Sequence, residues 1–257
     1  MKRKIDVNCD LGESYGEFKV GKDEKIMPHI TSANIACGFH AGDPTTIAHT
    51  INIAKKHGVA VGAHPSYPDI MGFGRREMQL TSEEAKNYTI YQVSALQGFA
   101  KAINLSVQHV KPHGAFYNMA IKDEKLSEAI VEAIKALDTD LIIFAPPNSA
   151  LAETAARNGL RVAYEFFADR AYNPDGSLVS RKEANAIIQE PKKVVERVVK
   201  VAKDGTVVAT NGEVVHIGEV HTICVHGDTP TAIELAETIK RGLTRGGIRV
   251  KPIGSFI

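Results

Sequence analysis

Four of the chain's ten histidines follow short apolar runs in nearly the same way. They are His40 in "CGFHAGD" (37–43), His64 in "GAHPSYPD" (62–69), His113 in "VKPHGAFYN" (110–118) and His226 in "CVHGDTP" (224–230). A side chain that titrates near neutrality, set beside carboxylates, is equipment for moving protons. Carboxylates and other polar groups accompany the histidines: Asn8, Asp10 and Glu13 in "NCDLGE", Asp43 after His40, Asp69 after His64, Asp228 after His226, and Glu165, Asp169 and Arg170 in "EFFADRAY". A lone histidine is more often a satisfied structural residue, but four in one placement on four separate runs point to a shared rim. His29, His49, His57, His109, His216 and His221 lack that placement and read as structural or surface groups.

Cations and glycines complete the set. Arg75 and Arg76 sit on a Gly-x-Gly run in "MGFGRREMQL" (71–80), where a guanidinium could grip a carboxylate or phosphate with two parallel hydrogen bonds. Lys111 and Arg170 could add anion recognition. Glycine follows the reactive group in "HAGD", "HGAF" and "HGDT", where a ligand could approach the backbone. Asp43 and Asp228 carry two readings, helix N-cap and ligand contact, since each precedes a helical pattern. The candidate catalytic residues are therefore Asp10, His40, His64 and His113, and the candidate substrate-binding residues are Asn8, Glu13, Asp43, Arg75, Lys111, Asp169, Arg170, His226 and Asp228. Together they suit an anionic small molecule and proton transfer.

The elements that must carry these residues alternate. Candidate strands are 4–9, 31–37, 58–64, 105–111, 140–146, 160–166, 221–226 and 247–253. Between them lie helices with readable ends. Asp43 caps a helix that has Pro44 in its first turn, Ile47, Ile51 and Ala54 on one face, and Gly58 beyond its end. Thr81 with Glu84 makes a capping-box pattern for a helix to about Ala102, and 227–247 repeats the cap-to-glycine pattern. Such alternation predicts a parallel sheet, as a closed or nearly closed β/α barrel first and an open doubly wound sheet second. The candidate residues would then share the C-terminal rim of the strands, where the βα loops of a barrel converge. Asn-Gly in "TVVATNGEVVHIG" predicts a β-hairpin insertion at 206–218, and "NPDGS" (173–177) a turn after the sixth strand. With no composition shift and no linker, one domain over 1–257 is expected.

Bulk properties narrow the partners. In 257 residues, 31 basic side chains nearly balance 30 acidic ones, so no field draws the chain to nucleic acid or an anionic membrane. Cys9, Cys37 and Cys224 are far apart and lack C-x-x-C spacing. With no apolar leader in "MKRKIDVNCD" and no membrane-length run, a cytoplasmic protein is expected. The P-loop, Rossmann, H-E-x-x-H and G-x-S-x-G motifs are all absent, so a nucleotide site of a common kind is unsupported.

The chain resembles the LamB/YcsF family in "DVNCDLGESYGE" (6–17), "NIACGFHAGDP" (34–44), "GAHPSYPDIMGFGRR" (62–76), "VKPHGAFYN" (110–118), "EFFADRAYNPDGSLVSR" (165–181) and "CVHGDTP" (224–230), in order along nearly its whole length. The resemblance implies a (β/α)7 barrel of the glycoside hydrolase/deacetylase type. It further implies ATP-dependent cleavage of 5-oxo-L-proline to L-glutamate by a 5-oxoprolinase in which this chain works with companion subunits B and C. ATP, with magnesium, would be a co-substrate handled by the complex, and a metal bound in this chain stays open. On this reading Arg75 or Lys111 holds the substrate carboxylate, Asp10 with His64 activates water, and His40 or His113 protonates the departing nitrogen. Two alternatives stand beside it: a metal-dependent carbohydrate or amide deacetylase using Asp10, His40 and His64 as ligands, and a non-catalytic component that delivers substrate.

Overall fold

The structure, a computed structural model, describes residues 3–180, 183–188, 190–227 and 231–257; Asp228 lies outside them. Its frame is a barrel of parallel strands β1 (Lys4–Leu11), β2 (Ser32–Ala36), β3 (Ala60–His64), β4 (Val107–Val110), β5 (Ile142–Ala145) and β6 (Arg161–Phe167), interrupted in sequence by the short β7 (Thr206–Val208) and β8 (Val214–His216), and closed by β9 (Thr222–Val225). Closure comes from β9, which pairs with β6 on one side and with β1 on the other. Seven strands thus form the (β/α)7 barrel that the alternation and the resemblance predict, and the open sheet is set aside. The eighth candidate strand, 247–253, shrinks to β10 (Arg249–Val250), which pairs only with the first residues of β1 below the β9 contact.

The helices lie outside: α1 (Asp23–Ile26), α2 (Pro44–His57), α3 (Ser82–Ala102), α4 (Gly114–Ala120), α5 (Glu124–Leu137), α6 (Ala150–Arg157), α7 (Pro191–Asp204) and α8 (Ala232–Arg245). Their apolar residues fall on one stripe, as in α7, where Val194, Val198, Val201 and Ala202 are buried at helical spacing. Caps set where each chain segment turns. Asp43 accepts from Thr45 N and Thr46 N at the start of α2, Gly58 closes it in the left-handed region, and Thr81 with Glu84 forms the capping box of α3. β7 and β8 pair antiparallel, with Val207 opposite Val215 across the Asn-Gly turn. Among the described residues no helix is long and apolar enough to cross a membrane.

Strand alternation gives the barrel two environments. On β1, Ile5, Val7, Cys9 and Leu11 belong to the apolar layer against the helices, while Asp6, Asn8 and Asp10 turn the other way and climb the interior in steps of two residues. Neighbouring strands add Ser32 and Asn34 from β2, His109 from β4, Glu165 from β6 and Thr222 from β9, all buried. On the opposite wall Ile142, Phe144 and Ala163 pack with Ile253 in a separate apolar cluster that plugs the lower end. Gly62 is dictated by this packing. A side chain there would overlap the imidazole of His109, which stacks on Phe144 with ring centroids 4.1 Å apart.

Candidate functional site

The polar interior is a connected ladder that leads upward to the rim. At the bottom Asp6 accepts hydrogen bonds from Thr31 Oγ1, Ser32 Oγ and Thr222 Oγ1 at 2.5–2.7 Å. Burial outweighs these bonds and pushes its carboxyl up to about 6. One level higher, Asn8 Nδ2 donates to Thr222 Oγ1 and Glu165 Oε1, and Asn34 Nδ2 donates to Asn8 Oδ1 and Asp10 Oδ1. His109 Nε2 donates to Asn34 Oδ1 at 2.8 Å, and burial drives that imidazole down to about 3, so it is a neutral structural group as its placement in the sequence suggested.

Lys111 joins the ladder to the mouth. Its ammonium is buried, 3.0 Å from Asp10 Oδ1 and 2.9 Å from Glu165 Oε1, with Asn8 Oδ1 and Cys224 Sγ at 3.3 and 3.1 Å. Burial opposes both charges, yet each sustains the other. The carboxylates and Cys224 hold the ammonium well above its usual range, and the His64 imidazole and the Lys111 ammonium beside Asp10 hold its carboxyl well below its own. Tyr117 on α4 donates to Glu165 Oε2 at 2.7 Å, orienting that carboxylate from the other side.

Above Asp10 stand three histidines and Glu13. His64 Nδ1 lies 2.6 Å from the Lys111 carbonyl, which can only accept, so that nitrogen carries the proton. His113 Nε2 lies 2.9 Å from the Phe73 carbonyl and carries its proton for the same reason. The other two nitrogens, His64 Nε2 and His113 Nδ1, then meet at 2.9 Å. Asp10 Oδ1 is 3.5 Å from the first and Glu13 Oε1 is 3.6 Å from the second. His40 stacks flat on His113, with ring centroids 3.8 Å apart and planes 4° off parallel, and its Nε2 reaches Glu13 Oε1 at 3.2 Å. Burial, with neighbouring imidazoles, holds both His40 and His113 well below the usual histidine range, leaving them neutral.

Loop 69–76 builds the wall on this side. Asp69 accepts from Gly72 N and from the Arg76 guanidinium, pinning the turn. Phe73 is held in the left-handed region at φ 54°, a position that costs a bulky residue energy and that aims its carbonyl at His113. Gly74 follows at φ 64°, packed against Ser66, His40 and His113 so closely that no side chain fits. Arg75 is exposed at the lip, its guanidinium 5.0 Å from the centroid of the Phe73 ring.

The candidates from the sequence therefore separate into groups. Asp10, Glu13, His40, His64 and His113 converge at the mouth. Asn8 and Lys111 lie beneath it, their hydrogen bonds engaged within the barrel, so neither is presented to a substrate; inward-facing strand positions one step below the rim carry them there. Asp43 is an N-cap, accepting also from Gly16 N and Thr46 Oγ1, which is the capping half of its two readings. Asp169 pairs with His226 Nδ1 at 2.9 Å on the β6–β9 side, while Arg170 donates to the Val179 carbonyl and ties down the loop after β6. Asn34 and Cys224 were not singled out as site residues in the sequence, and Glu165, named there beside Asp169, was not carried into the candidate sets; for Asn34 and Glu165 a polar residue inside an apolar run was the signal.

Known proteins share this architecture. The model of the LamB/YcsF family matches residues 5–257. A protein from Pyrococcus horikoshii, named as the A subunit of 5-oxoprolinase, is 53% identical over 254 residues, covering 99% of each chain. One of the same name from Campylobacter jejuni is 50% identical with the same coverage. The crystal structure of a lactam utilization protein from Thermus thermophilus superposes with a TM-score of 0.92 at 43% identity, over 96% of this chain and 99% of that one. Matched from β1 to its last residue, the chain belongs to the LamB/YcsF family.

Proposed function

We propose that this protein is the A component of a multi-component 5-oxoprolinase and that its barrel mouth opens the five-membered lactam of 5-oxo-L-proline to L-glutamate, with ATP, as its magnesium complex, consumed by the assembly. The observation that carries the reading is the buried cluster of Asp10, Glu13, His40, His64 and His113 in a chain half identical to proteins named for that activity. Relatives whose names make them one lettered part of an assembly support companion subunits, here taken as B and C.

The chemistry asks for an acceptor for a proton of water, a donor for the ring nitrogen, and an anchor for the substrate carboxylate. Asp10 suits the first role together with His64. Its Oδ1 is held by Asn34 and Lys111, whereas Oδ2 takes no hydrogen bond among the described residues and stays charged. A carboxylate held so far below its usual range is a weak base, which is sufficient only if the amide has been activated first. Phosphorylation of the lactam oxygen by ATP supplies that activation, as a step of the companion subunits. The proton taken from water would reach the departing nitrogen through Glu13, which neutral His40, stacked on His113, holds in place through its Nε2–H. Arg75 at the lip is the anchor for the substrate carboxylate, and Lys111 keeps Asp10 charged from below.

The test is glutamate release from 5-oxoproline and ATP by this protein alone, by subunits B and C alone, and by the mixture. Release confined to the mixture and abolished by Asp10→Asn is expected, with Arg75→Gln raising KM more than it lowers kcat. Equal release without this chain would overturn the assignment. In the deacetylase alternative Asp10 would offer a metal its Oδ2, since Oδ1 is held by Asn34 and Lys111.

A further inference from the structure

The meeting of His64 Nε2 and His113 Nδ1 at 2.9 Å is unstable as it stands. Each ring spends its proton on a backbone carbonyl, Lys111 O for His64 and Phe73 O for His113. Two lone pairs at hydrogen-bond distance, buried between the carboxylates of Asp10 and Glu13, require a cation to bring them together. Fixing of the outer ring nitrogen by a backbone carbonyl is also how metal-binding histidines are oriented.

We propose that Glu13, His64 and His113 form a binding site for a divalent transition-metal ion, with His64 Nε2, His113 Nδ1 and Glu13 Oε1 as the protein ligands. A shared proton would account for two nitrogens alone, whereas here a third ligand is held ready. The candidate ligand atoms of Glu13, His40, His64 and His113 all lie within 4.8 Å of one another, and His40 Nε2, 3.2 Å from Glu13 Oε1, sets that carboxylate from behind. His40 itself is not a ligand. Its ring is parallel to that of His113, so the in-plane lone pairs of the two rings do not meet at one point. Metal–nitrogen bonds of about 2.0–2.1 Å would span the 2.9 Å separation at an angle of about 90°, suiting a five- or six-coordinate ion with open positions toward the mouth. This ligand set differs from the Asp10, His40 and His64 set expected of a deacetylase. With the ion bound, His64 has no free nitrogen and Asp10 alone would take the proton of water, its Oδ2 being available to a water beside the ion.

Metal content is read without substrate, so this inference and the lactam reading fail separately. The full-length protein is stripped with chelator, reloaded with zinc or cobalt(II), and assayed by elemental analysis, titration calorimetry and X-ray absorption. We expect about one ion per chain, two imidazoles in the zinc or cobalt coordination shell, and affinity reduced in His113→Asn and Glu13→Gln by more than the roughly 10–100-fold that loss of an outer partner costs, while His49→Gln at the exposed surface changes nothing. The coordination shell is measured on the unaltered protein, so a variant that fails to fold does not decide the matter. No saturable binding, fewer than two imidazoles around the ion, or variants that bind as the parent does would overturn the site.

Discussion

Replacing Lys111 by methionine isolates the electrostatic contribution of the barrel interior. Methionine nearly preserves the volume of the stem but leaves Asp10 and Glu165, 3.0 and 2.9 Å from the missing ammonium, without their shared cation in a buried setting. Breaking a buried pair by removing one partner costs about 3–5 kcal/mol, and for a chain of this size each kcal/mol moves Tm by about 2–4 °C, so a fall of about 6–20 °C at pH 8 is expected. The pH dependence is the sharper criterion. In the parent protein the depressed Asp10 carboxyl contributes stability above its unfolded value, lost as pH falls through the lower folded one. The raised Lys111 contributes stability below its unfolded value, lost as pH rises through the higher folded one. The pair is thus intact across roughly pH 4–10. In Lys111→Met the remaining carboxylates favour protonation, so the deficit shrinks as pH falls toward 5, and adding Asp10→Asn recovers part of it at pH 8. Thermal melts followed by circular dichroism from pH 5 to 9 measure both. A shift below about 2 °C at pH 8, or one equal at every pH, would refute the account of the ladder.

Three further outcomes follow from the same geometry. Because Asp6 titrates at about 6 when folded against 3.8 unfolded, it favours the folded state when protonated, and about 3 kcal/mol of stability is lost as pH rises between those values. Denaturant titrations of Asp6→Asn and the parent should therefore diverge through that window, and parallel curves would count against the shift. Gly74→Ala must place a side chain at φ 64° against His40 and His113; about 1–2 kcal/mol of destabilisation should accompany a much larger loss of turnover in the reconstituted complex, and unchanged turnover would remove loop 69–76 from the site. Asp43→Ala should cost about 0.5–2 kcal/mol through the lost α2 cap and leave KM for 5-oxoproline unchanged, whereas a raised KM would restore its role as a substrate contact.

Much of this was legible from local signals, because those signals act locally. Asp43 before Pro44, Thr81 with Glu84, and Gly58 mark helix ends by hydrogen bonds within a few residues, and the structure places them so. The rim position of His40, His64 and His113 was readable because parallel βα units send every strand's C-terminal end to one side. Lys111 shows where that reading stopped. Like His113, two residues on, it faces inward, but it sits one step lower on the barrel wall, and only closure through β9 puts Glu165 and Cys224 around its ammonium.

The sequence by itself determined the alternating elements, the family and the set of side chains delivered to one rim, since periodicity, capping and motif order are properties of the chain read along its length. The tertiary structure alone decided which nitrogens are bare, which charges are sustained and which acids are only caps. The carbonyls of Lys111 and Phe73 lie 47 and 40 residues from the imidazoles they orient, and a proton's place on a buried ring is set by the nearest acceptor in space.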